Sequence, residues 1–317
     1  MKDINSLLKS ITLFFPFFII FYITFIILGN NLPQDFKPNI NYKKGSPGYL
    51  FTRLKDLKNY QNVDVLFLGS SHAYRSFDTR IFKNHGIISF NLGSSSQSPI
   101  QTEVMLERYL DKLNPKLIIF EVSPMVFMSD GVESSLDLIS NDKNDILTLT
   151  KLIRWNNIKT INTAIVGFYR DFLHLDDNFV EPIKKGDDIY IHGGFVERKI
   201  SYFKPPVRSK KKYISLNLKT EQINAFKRCV AKIHSKNIKV IFVKAPITKF
   251  HYSSYLNTQN FDSLISTQGE YYNFNNILNL EDSLYFFDSH HLNQKGVKVF
   301  DEKLIQILND ELKNIRQ

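Results

Sequence analysis

The stretch Leu66-Phe67-Leu68-Gly69-Ser70-Ser71-His72 is an apolar run that stops at a glycine and two serines. Val63 to Leu68 is short, β-branched and ended by Gly69, and reads as a buried strand. Far along the chain, Asp288-Ser289-His290-His291-Leu292-Asn293-Gln294-Lys295-Gly296 places an aspartate three residues before a histidine, at the start of a helical pattern. A serine hydroxyl is a weak nucleophile at neutral pH. It needs a base within hydrogen-bond reach, and the base needs a group that orients it. Ser71, His291 and Asp288 are the residue types for these three roles.

Outward from Gly69, strand and helix patterns alternate. Asp78 to Asn84 reads as a short helix, Ile87 to Leu92 as a second strand ending at Gly93, and Pro99 to Leu113 as a helix with proline in its first turn. Leu117 to Val122 is a third strand, closed by Ser123-Pro124. Thr220 to Lys236 is a helix with Ile223, Phe226, Val230 and Ile233 on one face, and Lys239 to Val243 a strand. Phe261 to Thr267 is a short helix, Leu284 to Phe287 the last strand, and Gly296 to Ile315 the final helix. This order predicts an α/β fold: a parallel sheet with helices on both faces. Residues 125–215 interrupt it and read as an insertion. Asp145 to Trp155 and Ile158 to Leu173 are helical there, and Leu175 to Ser215 is irregular, with Gly193-Gly194 and the basic run Arg208, Lys210, Lys211 and Lys212.

No charged residue lies between Lys9 and Asp35, and Ile11 to Leu28 is almost wholly apolar and aromatic. At ~1.5 Å per residue this run approaches the ~30 Å hydrocarbon thickness of a bilayer. Its length and the lack of a small-residue cleavage site after it favour an uncleaved signal anchor over residues 1–32. Lys2 and Lys9 precede it and Lys37, Lys43 and Lys44 follow. The amino terminus is expected inside the cytoplasmic membrane and the remainder outside. Residues 33–60 read as a linker with a short helical pattern near Leu50 to Leu57, and residues 61–317 as the catalytic domain.

The chain has 317 residues, is 43% apolar and carries a formal net charge of +10. That composition supports a large core and permits an anionic partner. No nucleic-acid motif accompanies the charge, so nucleic acid is not expected as a partner. The single cysteine, Cys229, lies in an amphipathic helical pattern and reads as a core residue. Histidines and carboxylates lack metal-ligand spacing on a shared element, so neither a metal nor a cofactor is expected.

In open parallel sheets, sites form beyond the carboxyl ends of the strands. Gly69 to His72, Asn91 to Gly93, Ser123, and Asp288 to His291 all fall there. Here the chain resembles the SGNH, or GDSL-like, hydrolase and acyltransferase superfamily. Gly69-Ser70-Ser71 stands at its first motif, Asn91-Leu92-Gly93 at its second and Asp288-Ser289-His290-His291 at its fifth, over residues 62–313 outside the insertion. The resemblance implies a flavodoxin-like sheet, Ser71 as nucleophile, His291 as base and Asp288 as orienter. It also implies an oxyanion hole built from the amides of Ser71 and Gly93. The third motif, Gly-x-Asn-Asp, is absent, and Ser123 is the substitute donor on offer, although a serine before proline is also an ordinary turn residue. Ser70 replaces the usual aspartate before the nucleophile. His72, Asn91 and His290 are the candidate substrate contacts.

With its amino-terminal anchor, the chain resembles the membrane-tethered branches, including the D-alanyl transfer proteins of teichoic-acid modification and acylators of envelope polysaccharides. These imply a serine esterase or O-acyltransferase acting on an envelope glycan or polymer, with a multispanning membrane acyltransferase as partner. The rival expectation, prompted by the absent motif, is a non-catalytic glycan-binding or scaffold protein.

Overall fold

The computed structural model describes residues 2–154, 156–205 and 212–315. These form two compact units. The smaller comprises residues 1–44 and 135–179, the larger residues 45–134 and 180–317. Arg208, Lys210 and Lys211 of the basic run lie outside the described residues.

The larger unit is built on five parallel strands: β1 (Val65–Leu68), β2 (Ser89–Asn91), β3 (Leu117–Glu121), β4 (Lys239–Lys244) and β5 (Glu270–Asn273). Their order is β5-β4-β3-β1-β2. All four residues of β1 are buried, as a strand covered by helices on both faces requires. Alternate side chains go to opposite faces. On one face Phe67 stacks on Phe77 at 4.5 Å between ring centroids and meets Phe82 at 4.8 Å. The carboxyl-terminal helix Gln294–Ile307 joins that layer through Phe300 and Leu304. On the other face Phe120 and Phe242 pack on Phe226 of the Thr220–Ser235 helix, which lies beside the Pro99–Leu113 helix. Each of these fully buried aromatics contributes about 1.5–3 kcal/mol relative to an exposed one.

The register aligns the carboxyl ends of β1, β3 and β4, with Leu68 opposite Phe120 and Glu121 opposite Val243. The turn after β1 depends on Gly69, whose φ is +138°. A Cβ there would lie 2.7 Å from Glu121 Cβ and 3.0 Å from its carbonyl oxygen. Gly69→Ala combines a strained backbone with an overpacked contact. It is expected to cost about 2–4 kcal/mol, read as a lowered thermal-unfolding midpoint.

Two expectations need correction. Leu284 to Phe287 is not the last strand of the sheet. Asp282–Tyr285 is one helical turn, and Phe286 makes only an isolated antiparallel bridge to Leu292. The place in the sheet goes to Glu270-Tyr271-Tyr272-Asn273. As an edge strand it pairs on one side only and tolerates polar ends. Residues 125–215 are also not one inserted body. Residues 180–215 belong to the larger unit and contain a three-stranded antiparallel sheet, Lys184–Lys185, Asp188–Ile191 and Phe195–Arg198. Gly193 and Gly194, at φ +94° and +96°, turn its second hairpin. The hairpin tip docks on β2, where the Asn91 amide donates to the Gly193 carbonyl at 2.7 Å. Residues 45–60 also pack within the larger unit, with Tyr49, Leu50 and Arg53 fully buried.

In the smaller unit, Lys2–Gly29 is a continuous helix, and its Ile4–Gly29 portion is long and apolar enough to cross a membrane. The Ile158–Phe172 helix packs against its last turns. It starts at Asn157, whose side chain accepts from the Lys159 amide at 3.0 Å. Tyr22 donates to Asn162 at 2.6 Å, and Ile26, Ile40 and Val166 form a small buried cluster.

Candidate active site

Ser71 is the first residue of the helix Ser71–Ser76, which follows β1 after the two-residue turn Gly69-Ser70. Ser70 caps this helix, its hydroxyl accepting from the His72 amide at 3.3 Å. The turn is also held from below. The Ser70 amide and hydroxyl both donate to Glu121 Oε2, at 3.2 and 3.0 Å. Glu121 is buried, which pushes its carboxyl up to about 7 against the opposing pull of the Ser70 bonds. As first helical residue, Ser71 has an amide with no intrahelical acceptor.

The other half of the site is a tight loop between Phe286 and Leu292, closed by the Phe287 amide donating to the His291 carbonyl at 3.1 Å. Asp288 Oδ1 accepts from the amides of His290 and His291, at 2.9 and 2.8 Å. Its Oδ2 lies 2.8 Å from His291 Nδ1, and His291 Nε2 lies 2.8 Å from Ser71 Oγ. A carboxylate can only accept, so His291 Nδ1 carries the proton and Nε2 presents its lone pair to the serine hydroxyl, an assignment made from the bonding network.

The electrostatics agree with an uncharged ring. Burial pushes His291 down to about 4, against the raising pull of Asp288; His290 and Arg75 push the same way as burial. Burial alone would raise Asp288, but its hydrogen bond to His291 and the neighbouring imidazoles hold it well below the usual carboxylate range. Both shifts describe a carboxylate beside a neutral imidazole, the state in which His291 can take a proton.

His291 is braced on its far side by residues that sequence reasoning missed. Phe287 stacks on its ring at 5.4 Å with planes 8° apart. Arg75 and Arg198 lie over the Phe287 ring at 5.6 and 5.0 Å. Asp188 holds both arginines, at 2.8 Å from Arg75 Nη2 and 3.1 Å from Arg198 Nη1. No sequence spacing signals this stack, because its members come from three separated segments.

A cavity of about 290 Å³ opens beside Ser71, lined by Ser70, His72, Ser96, Ser123, Met125, Val126, His251, Tyr255, Ser289 and His290. Of the candidate site residues, Ser71, His72, Ser123 and His290 line it, and Asp288 and His291 adjoin it. His72 is buried, which depresses its basicity well below the ordinary histidine value. Its Nδ1 lies 3.2 Å from Ser70 Oγ, and its Nε2 has no hydrogen-bond partner among the described residues. His251, also lowered by burial, pairs with the Tyr255 hydroxyl at 3.0 Å. His251 and Tyr255 went unnoticed in the sequence because they follow β4 at a distance, outside any motif.

Two of the expected residues do not reach the cavity. Asn91 is fully buried behind it. Its side-chain amide donates to the Ala73 and Phe77 carbonyls at 2.8 and 3.4 Å, so it braces the helix that carries Ser71 rather than touching a substrate. The Gly93 amide donates to Asn91 Oδ1 at 3.1 Å and is not free to serve an oxyanion. A Cβ at Gly93 would come within 3.0 Å of Ala73 and of the Gly69 and Ser70 carbonyls, so this glycine permits close packing of β2 on the serine turn.

The one cluster with ligand atoms close enough to share a cation is Asp288, His290 and His291, within 4.8 Å of one another among the described residues. A cation there would compete with His291 for the Asp288 carboxylate.

No protein-family profile matches the chain, and no curated protein sequence does. Among solved structures it is similar to a GDSL-like lipase from Bacteroides thetaiotaomicron, at 11% identity and a TM-score of 0.41, covering 83% of this chain and 98% of that one. It is also similar to a candidate acylhydrolase from Bacteroides fragilis, at 12% identity and a TM-score of 0.40, covering 82% and 95%. At such identities neither assigns a function to this chain.

Proposed function

We propose that this chain is a membrane-tethered serine esterase or O-acyltransferase that works on a cell-envelope glycan or polymer through an acyl-enzyme on Ser71. The observation that carries the reading is the pair of 2.8 Å contacts linking Ser71, His291 and Asp288, which joins a hydroxyl to an imidazole 220 residues away. In the first half-reaction His291 Nε2 takes the Ser71 proton as Oγ bonds to the acyl carbonyl carbon. The tetrahedral intermediate then collapses, its bond to the leaving oxygen breaks, and His291 returns the proton to that oxygen. In the second half an incoming hydroxyl, from water or an acceptor sugar, gives its proton to His291 as its oxygen bonds to the acyl carbonyl carbon; the intermediate then breaks its bond to Ser71 Oγ, and His291 returns the proton to that oxygen. Asp288 holds the tautomer and stabilises the imidazolium.

The developing oxyanion is met by the Ser71 amide and, with Gly93 occupied, by the hydroxyl of Ser123 on the cavity wall. One such donor is worth about 2.7–4 kcal/mol in the transition state. His72 and His290, both on the cavity wall, are the substrate contacts. A cavity near the lower limit of ligand-sized pockets suits a short acyl group. The apolar amino-terminal helix supports a single-pass anchor in the cytoplasmic membrane, with the site on the outer side and a multispanning membrane protein supplying the acyl group.

The direct test is a fluorophosphonate probe, which labels activated serines covalently. Wild type is expected to label and Ser71→Ala to lose labelling; equal labelling of the two, or none of wild type, would refute the proposal. A non-catalytic glycan-binding or scaffold role is the second reading, favoured by the occupied Gly93 amide. Hydrolysis of p-nitrophenyl acetate that disappears in His291→Ala would dismiss it.

A further inference from the structure

Beyond the catalytic cavity, the smaller unit holds an apolar groove of about 480 Å³. One wall is Ile23 and Ile27, one turn apart in the last turns of the long apolar helix. The other is a stripe along the Ile158–Phe172 helix that includes Ile161, Ile165, Phe168 and Phe172, at the spacing of a single helix face. The two helices are fixed to each other by the Tyr22–Asn162 hydrogen bond and the Ile26, Ile40 and Val166 cluster, so the groove is preformed.

Its position within this unit decides what fills it. Ile23 lies six residues before the end of the Ile4–Gly29 segment, about 9 Å along the axis. If that segment spans a bilayer, a wall of the groove stands at the level of the acyl chains next to the interface. The same unit exposes Phe172 at 81% and Ile146 at 67%, and leaves Leu149, Ile158, Leu173 and Leu175 open as well. Such a density of open apolar side chains is costly in water and suits burial at the headgroup and acyl boundary.

We infer that residues 146–154 and 156–175 dip into the membrane beside the anchor helix and that the groove takes an acyl chain of a bilayer phospholipid. The inference rests on the reading of the amino-terminal helix as a membrane span. It adds a lipid-filled contact with the bilayer beside the anchor helix of this unit.

The test uses the full chain with single substitutions Ile20→Cys, Leu149→Cys and Phe172→Cys, each labelled with an environment-sensitive nitrobenzoxadiazole. The native Cys229 is fully buried with its thiol pushed up, so it does not compete for label. Each protein is reconstituted into phosphatidylcholine vesicles containing a phospholipid with a nitroxide on its acyl chain. Labels at 20, 149 and 172 are expected to lose about half their emission or more, relative to the same proteins in vesicles without the nitroxide lipid. Loss at 20 without loss at 149 and 172 overturns the groove assignment and leaves the span standing, pointing to a protein segment or water as occupant. No loss at 20 overturns the span and the lipid groove together, and leaves the serine chemistry untouched. Unchanged unfolding midpoints for Leu149→Cys and Phe172→Cys, both at open positions, keep misfolding out of the comparison.

Discussion

Replacing His291 with alanine is expected to lower kcat on an activated acetate ester by about 10⁴- to 10⁶-fold, the scale seen when the base of a serine–histidine pair is removed. The reason lies in the geometry of one proton. Ser71 Oγ has His291 Nε2 as its hydrogen-bond partner, at 2.8 Å. Without the imidazole, its hydroxyl faces the cavity with no base. The Glu121 carboxylate is no substitute, because it sits beneath the turn and is bonded to Ser70. The neighbouring His290 is no substitute either: its Nδ1 bonds Ser289 Oγ at 3.0 Å, and its ring is offset from that of His291 by 4.1 Å. Residues that act as a unit are grossly non-additive. The double variant Ser71→Ala, His291→Ala should therefore be no slower than either single one. Steady-state kinetics on the four proteins checks this. A multiplicative loss in the double variant would mean that the two side chains do not share a proton.

The parts of this site legible in the sequence are those set by local backbone chemistry. A strand that ends at glycine and runs into serines marks a strand-to-helix turn, and Ser70 and Ser71 occupy it as expected. Pro99 starts the helix that ends at Leu113, and Asn114 closes it in a left-handed conformation at φ 39°. What was not legible depends on where a backbone group sends its hydrogen bond. Gly93 follows β2 as anticipated, yet its amide points at Asn91 Oδ1, and nothing in the Asn91-Leu92-Gly93 triplet distinguishes that outcome from an exposed donor. Glu121 was legible in principle. A lone carboxylate at the end of Leu117-Ile118-Ile119-Phe120 must be paired or neutral when buried, and that question leads to Ser70.

The division into two units escaped sequence reading for a different reason. Residues 1–44 meet residues 135–179 through bonds such as the Asn41 amide to Thr163 Oγ1 at 2.9 Å and the Lys43 amide to Ser140 Oγ at 3.1 Å. Such contacts bridge about a hundred residues or more and leave no periodicity behind. The misplaced last strand is an ordinary ambiguity of short apolar runs. Leu284-Tyr285-Phe286-Phe287 has strand composition, but Asp282 accepts from the Lys249 and Phe250 amides at 2.7 and 3.0 Å, which ties the run's start to another segment as a helical turn.

Replacing Asp288 with asparagine is expected to lower kcat about 10³- to 10⁴-fold while leaving the fold intact. The asparagine amide can donate towards His291 Nδ1, which favours the tautomer with its proton on Nε2, facing Ser71 with a donor instead of a lone pair. The pH profile separates this from simple loss of packing. His291 must be neutral to accept the serine proton, so in wild type kcat/KM should fall as the pH drops through about 4, the value to which burial pushes this imidazole. The Asp288 hydrogen bond and charge both raise His291. Removing them lets burial, His290 and Arg75 act unopposed, and the acid limb of Asp288→Asn should move to lower pH even as its plateau collapses. A limb that stays in place would mean that the carboxylate does not feel the proton on His291. A limb that moves upward would mean that the imidazole has left its buried position against Phe287 and entered solvent, where an ordinary histidine value returns.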